Sequence, residues 1–272
     1  MSCRSISGES VIWDKTAGTA AGRRNGALQM WARPNRKRER EKMEIKITAK
    51  ELAHYFDHTH LSPYSSRADF EKACREASEY GCMMLAVNSA PVKLCKELLK
   101  DTPVHVGAAI GFPLGQTTIA VKNFEVEDAI ANGADEIDYV VNLCRVKDGD
   151  WDYVEEEMRT IIGTVRKHGI IGKAIFENCY LTKEEIVHLA EIAKRVKPDF
   201  IKTSTGMGTG GATVEDVRLM KSVVGDEVGV KAAGGIRDLD TCLAMLEAGA
   251  TRIGLSKTVE VLEELKARES MA

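Results

Sequence analysis

Eight short runs of β-branched and apolar residues recur beyond Met43, alternating with stretches that carry the 3.6-residue period of an amphipathic helix. The runs cover residues 55–59, 84–88, 105–111, 136–142, 172–178, 200–204, 228–234 and 252–256. They begin roughly 22–36 residues apart, which is room for one strand, one helix and two short loops. A glycine sits between helix and strand at Gly81, Gly133 and Gly249, where a left-handed cap ends a helix without a Cβ penalty. Thr182 with Glu185 and Thr213 with Asp216 have capping-box spacing at helix starts. Eight βα units in about 230 residues match a barrel closed by eight parallel strands. A doubly wound open sheet rarely uses eight such even units, and no GxGxxG follows the first run. The predicted class is therefore α/β, a (β/α)8 TIM barrel in one domain over residues 43–272.

Residues 1–42 read differently. They are rich in Gly, Ser, Ala and Arg, lack hydrophobic periodicity, and end in the charge run Arg36–Lys42. They hold ten basic and four acidic side chains, a local +6, whereas the rest of the chain holds 28 basic and 37 acidic ones, a local −9. A basic arm for an anionic surface is one reading. Upstream sequence preceding a fold that opens at Met43, disordered or loosely helical, is the simpler one.

Charge, hydropathy and cysteine usage narrow the function classes. A body that acidic is a poor nucleic-acid binder, since phosphate neutralisation needs positive surface. No apolar run reaches the ~20 residues of a membrane span, and no 7–15-residue apolar stretch marks a secretory leader. Seven scattered cysteines without a CxxC pair argue against a disulfide framework or cysteine zinc site and for the reducing cytoplasm.

The informative residues are charges inside the runs, where a barrel interior is ordinarily Val, Ile and Leu. Lys173, Lys202 and Lys231 fall on the fifth, sixth and seventh runs, and Asp138 lies in the middle of the fourth. Cations converging in one barrel mouth repel one another, and burial disfavours each ammonium, so lysine pKa values fall. Bringing a lysine to about 7 costs roughly 4–5 kcal/mol, and a neutral amine is what a Schiff-base nucleophile must be. Asp138 suits a general acid/base beside a carbonyl or imine. Glycine-rich turns follow the last three runs at Gly206–Gly211, Gly234–Gly235 and Gly254–Ser256, where barrels commonly hold phosphate on backbone N–H groups. His58 and His60 form an HxH pair that keeps a metal-dependent hydrolase open as an alternative.

The segments Asp57-His58-Thr59, Gly111–Gly115 (GFPLG), Glu136-Ile137-Asp138, Phe200–Gly206 (FIKTSTG), Lys231–Arg237 (KAAGGIR) and Gly249–Gly254 (GATRIG) resemble the deoxyribose-phosphate aldolases, a class I aldolase family. The similarity runs from about Leu52 to Leu265. It implies a metal- and cofactor-independent carbon–carbon lyase of deoxyribonucleotide catabolism, cleaving 2-deoxy-D-ribose 5-phosphate reversibly to acetaldehyde and D-glyceraldehyde 3-phosphate. Its partners would be the small phosphorylated sugar and aldehydes, and its assembly a homo-oligomer, dimer or tetramer. By the resemblance, Lys202 is the Schiff-base lysine, Lys231 the neighbouring cation and Asp138 the proton-transfer residue acting with a water. Lys173 would support that relay. Asp57, Thr59, Lys173 and Thr205 would contact substrate, and Gly206, Gly234, Gly235, Gly254 and Ser256 would hold phosphate. The sequence departs from the family pattern in the runs Leu85 to Pro91, Ala108 to Ile110 and Phe176 to Asn178, away from the lysines and Asp138. Another Schiff-base barrel aldolase is the second alternative.

Overall fold

The structure, a computed structural model, describes residues 47–271. The extension expected over residues 1–42 lies outside the described residues. The strands are β1 (Phe56–Thr59), β2 (Met84–Asn88), β3 (His105–Ile110), β4 (Glu136–Val140), β5 (Ile171–Ile175), β6 (Phe200–Lys202), β7 (Gly229–Ala233) and β8 (Arg252–Leu255). The helices are α1 (Ala49–Ala53), α2 (Arg67–Tyr80), α3 (Val92–Leu98), α4 (Ile119–Ala131), α5 (Leu143–Lys147), α6 (Trp151–Lys167), α7 (Lys183–Val196), α8 (Val214–Val224), α9 (Leu239–Glu247) and α10 (Thr258–Glu269). Strands pair in parallel and in chain order, and β8 returns to β1, so the sheet closes on itself. The expected (β/α)8 barrel is what the chain adopts.

The local signals explain the boundaries. Gly81 caps α2 in the left-handed region at φ 70°, and Gly133 and Gly249 are also left-handed. Thr182 and Glu185 form both halves of a capping box at α7. At α8 only half forms: the Thr213 hydroxyl accepts from the Asp216 N–H, while the Asp216 carboxylate turns to the Lys183 ammonium instead. Two runs end sooner than their apolar character suggests. β4 stops at Val140 because Asn142 caps the short helix α5, and β5 stops at Ile175, two residues before Glu177 adopts a left-handed φ of 57°.

Period two divides each strand between two environments. Leu85, Val106, Ile137, Ala174, Ile201, Val230 and Ile253 join the continuous apolar layer between barrel and helices. Burying a Val, Leu or Ile side chain fully is worth about 1.5–3 kcal/mol. That outer layer, repeated around eight strands, lets the inner face of the barrel carry charge. Among the described residues, no helix is long and apolar enough to cross a membrane.

Candidate active site

The inward positions of β1 and β4–β8 place Asp57, Glu136, Asp138, Lys173, Lys202, Lys231 and Arg252 in one buried network. Asp138 is its hub. Oδ1 accepts from Lys173 Nζ at 2.6 Å, and Oδ2 accepts from Lys202 at 2.8 Å and Lys231 at 2.6 Å. Lys173 also pairs with Glu136 at 2.5 Å, and Lys231 with Asp57 at 2.5 Å. The Arg252 guanidinium bridges Asp57 at 2.6 Å and Glu136 at 2.9 Å, and Glu136 is hydrogen-bonded to His105 Nδ1 at 2.8 Å.

Counting these groups identifies the odd one. Four cations (Lys173, Lys202, Lys231, Arg252) face three carboxylates (Asp57, Glu136, Asp138), one positive charge too many if all are ionised. Lys173, Lys231 and Arg252 each hold two carboxylates within 2.9 Å. Lys202 touches only Asp138, through the oxygen it shares with Lys231. The least compensated ammonium loses its proton most readily. Burial pushes Lys202 down, Asp138 pushes it back up and Lys231 pushes it down again, for a net value of about 8. Asp138, despite full burial, is held well below the usual carboxylate range by Lys173, Lys202 and Lys231.

The expectation that all three lysines are depressed by mutual repulsion needs correction. Burial opposes the Lys173 ammonium, but Asp138, Glu136 and Asp57 outweigh it and push that pKa up. Nor does Lys173 sit level with Lys202. The register pairs Lys202 with Lys231 and with Ile175, so Lys173 lies one inward layer deeper. Asp57 is likewise engaged inside the barrel, by Lys231 and Arg252, while the half-buried Thr59 hydroxyl donates to the Asp57 carbonyl at 2.9 Å. Glu136 and Arg252 belong to the same network without any sequence signal for their partners. The Phe112 ring lies 5.7 Å from Lys202 Nζ, which brings the GFPLG loop over the amine.

The glycine-rich turns divide into two kinds. Gly206, Gly234 and Gly235 are left-handed, with φ of 87°, 81° and 76°, at the C-terminal ends of β6 and β7. Their backbones approach closely: a Cβ on Gly234 would lie 3.1 Å from Gly211 Cα and 3.2 Å from Gly206 Cα. The Gly206 and Gly235 N–H groups have no protein acceptor among the described residues. Ser256 is exposed after β8, just before α10, whose N-terminus has no side-chain cap. Gly254 is of the other kind. It lies within β8, and a Cβ there would meet Lys231 Cε at 3.2 Å, so its role in the fold is to admit the lysine stem. Thr205 donates both its N–H and its hydroxyl to Glu177, so its donors are committed to the protein.

The HxH pair does not reach this network. His58 Nε2 lies 3.3 Å from Glu76 on α2, and His60 bonds Ser65 at 2.7 Å with its ring against Phe70 of α2. Both rings face the helix layer, and among the described residues no three His, Cys, Asp or Glu side chains group as a metal site.

The chain is similar in sequence to known aldolases. The family model described as DeoC/LacD family aldolase matches residues 52–257. The chain belongs to this aldolase family. A deoxyribose-phosphate aldolase of Lactobacillus acidophilus is 54% identical over 224 residues, 82% of this chain and 94% of that protein. One from Thermococcus gammatolerans is 52% identical over 215 residues, 78% of this chain and 96% of its own length. A solved structure, described as a unique tetrameric deoxyribose phosphate aldolase from Aeropyrum pernix, superposes with a TM-score of 0.76 at 32% identity. It covers 81% of this chain and 93% of that one. Within this aldolase barrel, the cross-strand neighbour of Asp138 is the small residue Ala109.

Proposed function

We propose that this chain is a class I aldolase that cleaves 2-deoxy-D-ribose 5-phosphate reversibly to acetaldehyde and D-glyceraldehyde 3-phosphate, with Lys202 as the covalent nucleophile. The observation that carries the reading is the charge imbalance: of four interior cations, Lys202 alone has a single, shared carboxylate contact. Neutral Lys202 adds to the sugar aldehyde at C1 to give a carbinolamine, which loses water to become an iminium. The iminium accepts the electron pair of the C2–C3 bond as it breaks. The C3 hydroxyl proton leaves through water to Asp138, and glyceraldehyde phosphate departs. Protonation of the enamine at C2 and hydrolysis then release acetaldehyde and the free amine.

The remaining roles follow from position. Lys231 keeps positive charge beside Lys202 and so favours its neutral form. Lys173, one layer deeper, fixes Asp138, and Asp57 fixes Lys231. Thr59 stands at the end of β1 as a contact for a substrate hydroxyl. The free amides of Gly206 and Gly235, the turn at Gly234, Ser256 and the uncapped start of α10 form the phosphate cradle. A homo-oligomer is part of this reading, supported by the tetrameric relative from Aeropyrum pernix. So is a cytoplasmic setting, supported by the free cysteines Cys74, Cys82, Cys95 and Cys242 in the interior.

Trapping tests the proposal. Incubation with acetaldehyde and a mild borohydride, followed by digestion and mass spectrometry, is expected to find one ethylated lysine, Lys202. Ethylation spread over surface lysines, with none selective for Lys202, sinks the covalent reading.

A further inference from the structure

Glu177 has no part in the chemistry just described, yet its setting is unusual. It is 1% exposed and is one of two non-glycine residues at positive φ among the described residues. The other, Lys197, caps the end of α7 with an exposed ammonium. A buried L residue in the left-handed region persists only where its surroundings over-determine it. Here they do. The Glu177 carboxylate accepts the Thr205 N–H at 3.2 Å on each oxygen and the Thr205 hydroxyl on Oε2. The Thr205 hydroxyl oxygen in turn accepts the Met207 N–H at 3.0 Å. Gly208 closes down on the same group: a Cβ there would meet Cys179 Sγ at 2.7 Å and Glu177 Oε1 at 3.2 Å.

We infer that Glu177 is a positioning residue that sets the phosphate end of the site. It fixes Thr205, three residues past the nucleophile, and so aims the unspent Gly206 amide at the cradle shared with Gly234 and Gly235. With the Thr205 N–H consumed by the carboxylate, the next amide of this loop free to bind an anion is that of Gly206. Glu177 also lines a cavity of about 420 Å³ together with Pro113, Leu114, Tyr180 and, from the same loop, Met207. The left-handed turn that ends β5 is what brings the side chain to Thr205 rather than leaving it in line with the strand.

The inference rests on the proposed function, and the test separates the two. Glu177→Gln keeps the shape but leaves one carbonyl oxygen where two carboxylate oxygens accept. Wild type and variant are compared on 2-deoxyribose 5-phosphate, on unphosphorylated 2-deoxyribose, and in the rate of acetaldehyde trapping at Lys202. The expected result is a fall of about 10- to 100-fold in kcat/KM for the phosphorylated sugar, mostly in KM. Turnover of the unphosphorylated sugar and the trapping rate stay within about twofold. Inorganic phosphate, as an inhibitor of trapping or by direct calorimetry, weakens in parallel. An equal loss on both sugars, or no loss on either, overturns the inference. If the wild type itself leaves the phosphosugar uncleaved, the proposed function fails, and the phosphate titration still decides the role of Glu177. Should Glu177→Gln not fold, Glu177→Asp draws the carboxylate back from Thr205 by one methylene and carries the same expectation.

Discussion

Replacing Lys202 with alanine is expected to reduce retro-aldol turnover of 2-deoxyribose 5-phosphate at least about 10⁴-fold, equivalent to roughly 5.5 kcal/mol of barrel-bound transition-state stabilisation. In the proposed mechanism this amine is the atom on which the electron sink is built, and neither Lys173 nor Lys231 is expected to replace it. Each of those is clamped between two carboxylates, and Lys173 is held charged by Asp138, Glu136 and Asp57. Retention of turnover within tenfold of wild type in a steady-state assay would falsify the covalent mechanism. Folding should survive the change, because removing one cation brings the interior to three positive and three negative groups.

The same amine sets the pH dependence. Its pKa in the free enzyme lies near 8, and only the neutral form attacks. Below that value kcat/KM for substrates that are not diffusion-limited is expected to fall about tenfold per pH unit, since the neutral fraction falls so. Above it the profile levels. The sign follows from the direction of the shift: a lysine left at its ordinary value, 10.5, would keep rising across this range. A pH–rate profile with no inflection between about 7 and 9 contradicts the assignment.

The barrel was legible because its two periodicities are independent signals. Apolar runs such as Leu85–Val87 and Ala174–Phe176 mark strands, and Gly81 and the Thr182–Glu185 pair mark where helices end and begin. The lysines stood out because an apolar interior gives a charge nowhere to hide. What was hidden is everything that depends on register between strands. Lys173 appears level with Lys202 when strands are aligned by sequence, but pairing sets it one layer lower. Arg252 reads as the start of the last strand, and only closure of β8 against β1 brings it to Asp57. Glu136 announces its charge and not its partners. The left-handed turn at Glu177 is beyond a sequence pattern, since nothing local requires a non-glycine residue there. The Thr205 contact that holds it comes from the loop after a different strand.

Asp138→Asn is the substitution that separates proton transfer from lysine activation. A neutral amide takes away the carboxylate that Lys173, Lys202 and Lys231 share. Of the forces on Lys202, Asp138 is the one that raises its pKa, so its removal leaves the amine more neutral. On that count alone the variant should react better at low pH, and its acid limb should shift below that of the wild type. Turnover should nonetheless drop, by about 10²–10⁴-fold, because the group proposed to take the C3 hydroxyl proton and return it to the enamine is gone. The fold should also weaken by about 3–5 kcal/mol in urea unfolding at pH 7, since breaking a buried pair leaves ammonium groups uncompensated. That penalty should shrink as pH rises through the Lys202 pKa, where one of the three sheds its charge. Lowered turnover with the acid limb moved up, toward the lysine reference value, would mean that Asp138 serves chiefly to hold Lys202 in place and that the proton passes through another group.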